Sequence, residues 1–350
     1  MIKIALDREE LVYCGRIDRT DPKEPEFIFP ASSLHFRFRG KMAVLSVENR
    51  RISHENYVGA IVDGEQKKWR LHYEGITRLT LLTEDEDRDH EVLFFKRQDT
   101  CHEFRLAELS ISDGGVLLPA LPRPKRRMEV YGDSVSAGYL VEAVDHVGGP
   151  DPEHDGEYSN SWYSYAWMAA RLLHAELSDI SKSGIPLLNG TGYVSPPVYP
   201  GMEFMWDKVH WHPQLGKVTG WNFAGYRPHL VVVAIGQNDS FPRDFMKEDP
   251  EGEMASHWKY SYRLLVKSIR ARYPKAVILL TTTIMVHDSS WDDAIEEICR
   301  DLGDDRVRHF LYKRNGQGTP GHPRIQEAQE MAEELAAYVN GLEISVWEES

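Results

Sequence analysis

Cysteine is scarce in this chain. Its 350 residues hold three, Cys14, Cys101 and Cys299, far apart and without metal-ligand spacing. An odd, sparse set favours reduced thiols inside a cell and leaves no disulfide pairing supported. Long apolar runs are also missing, so no membrane span is expected. The first seven residues alternate like a strand and offer neither an apolar signal core nor a cleavage site, which points to a cytoplasmic location. Positive charge is in deficit, with 41 Lys and Arg against 55 Asp and Glu, a net charge of −14. That balance disfavours nucleic acid and anionic membranes as partners and suits a neutral ligand. No internal repeat is evident.

What is present divides in two. Residues 26–30, 34–40, 42–47, 58–64, 69–72, 79–82, 91–95 and 104–109 read as short strands; in one of them Leu34, Phe36 and Phe38 alternate with polar residues. Many short strands spaced by turns predict an antiparallel β-sandwich or jelly roll over residues 1–120. The acidic stretch 84–89 reads as a solvated hairpin loop. Residues 121–127 combine prolines with basic side chains and form a linker. From residue 128 to 350 strands alternate with helices: strands at 128–132, 175–181, 230–235, 276–284 and 307–312, helices at 161–174, 253–272, 292–302 and 323–339. The pattern predicts an α/β domain with a parallel sheet and helices on both faces.

The strand at 128–132 breaks at Gly132-Asp133-Ser134. A serine at the carboxyl end of a strand in an open α/β sheet sits where such sheets carry their chemistry. To attack a carbonyl it needs a base for its proton and donors for the oxyanion. His322 follows the last strand, Asn238 the apolar strand 230–235, and Gly184 the strand 175–181. Each alone has an ordinary reading as a turn, a cap or an αL position. All four at strand ends, in this order, point to a serine hydrolase.

Gly132-Asp133-Ser134, Gly184, Gly236-Gln237-Asn238-Asp239 and His322 together resemble the blocks of the SGNH (GDSL-like) hydrolase superfamily. Residues 29–40 and the approach to residue 230 resemble carbohydrate esterase family 2, whose members join an N-terminal jelly roll to a flavodoxin-like SGNH domain. The resemblance implies removal of O-acetyl groups from plant polysaccharide-derived oligosaccharides such as those of xylan or mannan. It implies Ser134 as nucleophile, His322 as base and an oxyanion hole from Ser134, Gly184 and Asn238, with no metal and no cofactor. Asp133 is expected to be structural. The α/β-hydrolase elbow Gly-x-Ser-x-Gly does not fit, because Ser136 takes its last position.

One departure stands out. Where most SGNH enzymes place an Asp three residues before the His, this chain has Thr319. The expectation is therefore a Ser–His dyad whose ring is held by a backbone carbonyl, a water or a carboxylate from elsewhere, Asp288 being a candidate because it follows a strand end. The loop 144–158, with His146, Asp151, His154 and Asp155, matches no metal motif and reads as a polar surface loop beside the site. In the stretch 196–225, Trp206, Trp211 and Trp221 suit either sugar stacking or packing of the insertion. Trp206, Phe241 and Trp291 are candidate substrate-binding residues. The alternatives are a lipase, thioesterase or aryl esterase acting on simple acyl esters, and a carbohydrate-binding protein with a degenerate site.

Overall fold

Two long strands organise the first half of the structure, a computed structural model describing residues 1–194, 200–216 and 218–348. Ser33–Arg51 and Ile76–Lys96 pair antiparallel. The first also pairs with His102–Ile111, and the second with Tyr57–Val62, which carries Glu65–Arg70 at the edge. Register shifts after Gly40 and Ala43 bend the central pair, so one continuous strand serves both layers of the sandwich. Leu34, Phe36 and Phe38 face inward with Phe94, Leu106 and Leu109, as their alternation requires.

The segments expected as separate strands at 34–40 and 42–47 are thus one strand, and so are those at 79–82 and 91–95. The acidic stretch is no hairpin tip: it lies inside Ile76–Lys96, with residues 84–87 bulging between the pairs Met42↔Thr83 and Gly40↔Arg88. Local ion pairs, Arg88 with Glu84 and Arg39 with Asp89, relieve the like-charge repulsion that suggested a turn.

The second half is a five-stranded parallel sheet in the order Ala175–Ser181, Arg126–Gly132, Leu230–Ala234, Val277–Thr281, Val307–His309. Alternate residues face opposite layers. Tyr131, Val231 and Val233 pack with Trp258 and Ile269 of helix Glu253–Arg272 and Ile295 of helix Ser290–Leu302. Met128, Val130 and Val232 pack with Ala169 of helix Tyr165–Leu172 and Leu335 of helix Ile325–Asn340. Gly132 pairs with both Ser181 and Ala234, so the first three strands in this order end level and deliver the residues beyond them to one rim.

The two halves share cores. Ile28 and Phe29 pack with Tyr131, and Ala31 and Phe95 with Met128. Cys14, Cys101 and Cys299 are unpaired. Among the described residues, no helix is long and apolar enough to cross a membrane.

Candidate active site

Ser134 opens the short helix Ser134–Ala137, directly after Arg126–Gly132. Asp133 caps that helix by accepting the Val135 N–H at 3.0 Å. Gly132 has to be glycine here: a Cβ would lie 2.1 Å from Ser136 Oγ, which bonds the Tyr165 hydroxyl. The turn therefore folds tightly against the strand end and presents the serine at its rim.

His322 meets that serine, with Nε2 2.8 Å from Ser134 Oγ. Its other ring nitrogen lies 2.6 Å from Asp151 Oδ2, and its backbone N–H donates to Asp151 Oδ1 at 2.9 Å. The imidazole thus has an acidic partner, and the expected dyad is corrected to a Ser134–His322–Asp151 relay. Asp288 does not approach it; its carboxylate accepts from the Ser290 N–H and pairs with Lys247. Thr319 is buried, and its carbonyl accepts from Val286 N–H. Asp151 comes instead from the loop 144–158, 171 residues before His322, and only folding brings the two together. The carboxylate also accepts from fully buried Arg324 at 2.9 Å. Burial opposes its charge, yet the bonds from His322 and Arg324 win and hold it well below the usual carboxylate range.

The relay opens into a cavity of about 680 Å³ that Gly184, Asn238, Lys182 and Tyr193 also line. The β-sandwich contributes Ile52, Ser53, His54 and Cys101 to the same wall. Gly184 has φ +74°, and a Cβ there would stand 2.7 Å from the Tyr193 Cβ. Among the described residues, the amides of Ser134 and Gly184 have no backbone acceptor. Asn238 Nδ2 donates to Asp133 Oδ2 and to the Ile185 carbonyl, both at 3.1 Å. Gln237, which sequence reasoning passed over, donates to the same Asp133 oxygen at 2.5 Å. Burial pushes the Asp133 carboxyl up to about 6, against these donors, which favour its charge.

The candidate substrate residues separate. Phe241 is half-exposed and stacks on Tyr193 at 4.4 Å and 19°, at the cavity rim. Trp291 is buried against Trp258 and Phe245, and its Nε1–H donates to Asp244 at 3.1 Å; it belongs to the core. Trp206 packs at a tilt against Phe223 and offers its carbonyl to Arg16 between the domains, so it too is removed from the rim. Trp211 and Trp221 pack with the same core. Residues 196–199 and 217 of that stretch lie outside the described residues.

Two groups resemble metal sites, but each already holds a cation. Arg50 pairs with both carboxylates of the Glu26, Glu103 and His210 group, and Arg88 with both of the Asp63, Glu84 and His90 group.

Residues 130–343 match the GDSL-like lipase/acylhydrolase family. The chain belongs to that family. Ahead of this acylhydrolase domain, residues 13–120 match the N-terminal domain of carbohydrate esterase 2. The chain is 27% identical over 345 residues to the cellulase/esterase CelE of Acetivibrio thermocellus, covering 95% of itself and 39% of that protein. It therefore spans well under half the length of that relative. It is 25% identical over 340 residues to an acetylxylan esterase/glucomannan deacetylase of Cellvibrio japonicus, covering 95% and 88%. A solved family two carbohydrate esterase from Clostridium thermocellum, in complex with cellohexaose, shares its fold at a TM-score of 0.78 and 25% identity, covering 94% and 98%.

Proposed function

We propose that this acylhydrolase is a carbohydrate acetyl esterase that deacetylates oligosaccharides derived from plant xylan or mannan. The observation that carries the reading is the unbroken relay from Asp151 through His322 to Ser134 Oγ, open to a cavity that Lys182, Gln237, Asn238 and Tyr193 also line.

Ser134 attacks the acetyl carbonyl as His322 Nε2 takes its proton. Asp151 holds the ring in the tautomer that leaves Nε2 free and stabilises the imidazolium that forms. The tetrahedral oxyanion accepts from the amides of Ser134 and Gly184. Being charged, it outcompetes the neutral Ile185 carbonyl for one N–H of Asn238. His322 then protonates the sugar oxygen, which leaves as the alcohol. A water, deprotonated by His322, attacks the acetyl-enzyme, releasing acetate and restoring Ser134. The stacked Tyr193 and Phe241 offer an aromatic face to a sugar ring at the rim. The three unpaired cysteines support a reducing, cytoplasmic setting.

The test is acetate release from acetylated xylan and mannan oligosaccharides, with the lost acetyl groups mapped by NMR. Release by the wild type and none by Ser134→Ala is expected. Preference for p-nitrophenyl octanoate over the acetate, with no release from the sugars, would move the chain to simple acyl esters.

A further inference from the structure

The Gly184 amide sits on the short segment that leaves strand Ala175–Ser181, and a donor of that kind works only if it is held still. The hold on that segment comes from the other domain. Asp99, in the turn between Ile76–Lys96 and His102–Ile111, accepts the Ser183 N–H at 2.6 Å and the Lys182 ammonium at 3.1 Å, both on Oδ2. Its Oδ1 accepts the Cys101 N–H at 2.8 Å. Its carbonyl accepts from Lys96 Nζ at 2.6 Å. Asp99 is 4% exposed, so water does not compete for these bonds. All three partners of the carboxylate are donors. A group with two acceptor oxygens and no hydrogen is what such a position requires.

The same turn reaches the relay's acid. Gln98 Nε2 donates to the Gly156 carbonyl at 3.3 Å, in the loop that carries Asp151. Gln98 Nε2 also donates to the carbonyl of Glu55, in a neighbouring turn, and the Glu55 N–H donates to the Asp155 carbonyl at 3.0 Å in that loop. The carbonyls of Lys96 and Arg97 accept from the hydroxyl and the N–H of Ser161. One turn of the β-sandwich therefore braces both the oxyanion segment and the acid loop from behind.

We infer that Asp99 is a positioning residue of the esterase: through Ser183 it fixes the Gly184 amide on the oxyanion, which makes the β-sandwich part of the catalytic machinery. The inference rests on the esterase reading above.

The experiment uses the full chain and p-nitrophenyl acetate, whose hydrolysis depends on the relay and the oxyanion donors and not on the choice of sugar. Wild type against Ser134→Ala tests the site itself; activity that survives in Ser134→Ala defeats the esterase assignment before Asp99 is considered. Asp99→Ala, folded by circular dichroism, is expected to lose about ten- to a hundredfold in kcat with KM within about twofold. Asp99→Asn keeps one acceptor oxygen and should fall between Asp99→Ala and wild type. Affinity for a trifluoromethyl ketone, which forms a tetrahedral adduct, should drop in step with kcat. Wild-type kcat in a folded Asp99→Ala, or a loss confined to KM, overturns the inference. Should Asp99→Ala not fold, hydrogen exchange on the wild type decides: the Ser183 amide must exchange as slowly as the core amides of Ala175–Ser181, and a loop-like rate overturns it.

Discussion

Asp151 grips His322 twice, with one carboxylate oxygen on the ring nitrogen at 2.6 Å and the other on the backbone N–H at 2.9 Å. A carboxylate bonded to both ring and backbone fixes where the imidazole stands as well as how it is turned. Asp151→Asn keeps the shape but turns a donor toward one of these N–H groups and favours the wrong tautomer. It is expected to lower kcat on p-nitrophenyl acetate by roughly a thousand- to ten-thousandfold, as loss of the acid does in serine triads.

Thr319 provides the complementary test. With Asp151 already in place, Thr319→Asp should bring no rate gain. Thr319 is 1% exposed, so a carboxyl there enters the interior without a prepared partner. A loss of roughly 2–3 kcal/mol in urea unfolding is expected. A large rate gain would show that His322 lacks an effective acid.

Gly184→Ala should separate backbone strain from packing. The φ of +74° disfavours any side chain, and the new Cβ would lie 2.7 Å from that of Tyr193. The segment must shift, and its amide with it, so kcat should fall at least about tenfold while stability drops by roughly 1–2 kcal/mol. Adding Tyr193→Gly removes the clash but not the φ penalty, so the double variant should recover part of the stability. No recovery would mean that strain alone decides.

These residues were not equally visible in the chain. Ser134, Gly184, Asn238 and His322 each come after a segment that reads as a strand, and the level ends of the first three of these strands turn sequential order into a rim. Asp151 had no such marker. It lies in an irregular polar loop, and its pairing with His322 depends on how Arg324 and the β-sandwich hold that loop. The tryptophans were ambiguous for a related reason. An aromatic in an irregular stretch reads the same whether it faces a sugar or a buried arginine, and Trp221 faces Arg16. Residues 84–89 looked like a loop because charge was counted without its cross-strand partners.

Two buried carboxyls should contribute stability that runs against the usual acid destabilisation over one window, where histidines that burial holds low, His154 and His309 among them, pull the other way. Burial pushes both Asp133 and Asp239 up to about 6. Between the unfolded value near 4 and the folded one, the native state binds more protons at these two groups, so their contribution falls as pH rises through this window and is level above it. Going from pH 7 to pH 5 should add roughly 1 kcal/mol per carboxyl. Below about pH 4 the sign reverses, because Asp99 and Asp151 are held below the usual range and their contribution is lost as they protonate. Urea midpoints of the wild type and Asp133→Asn across pH 3–8 check this, and the stability difference between the two should change by roughly 1 kcal/mol between pH 7 and 5. A difference between wild type and Asp133→Asn that stays constant over that interval would mean that Asp133 titrates normally.

Arg16 ties the domains together in the least forgiving way. It is fully buried, donates to the carbonyls of Trp206 and Lys208, and stands 3.6 Å from the equally buried Glu129. The rings of Phe29, Tyr131, Trp221 and Phe223 surround its guanidinium at 5.3–5.8 Å. Removing one member of a buried ion pair leaves the other charge uncompensated, which costs about 3–5 kcal/mol. Arg16→Met should therefore destabilise the chain by about that much, since the methionine fills the box but leaves Glu129 unpaired. Arg16→Met with Glu129→Gln removes both charges, and Gln can still accept from the Tyr131 hydroxyl that now bonds Glu129 at 2.5 Å. The double variant should regain at least about half of the loss. A double variant no more stable than Arg16→Met would show that the aromatic box and the two carbonyl bonds, and not the ion pair, set the cost.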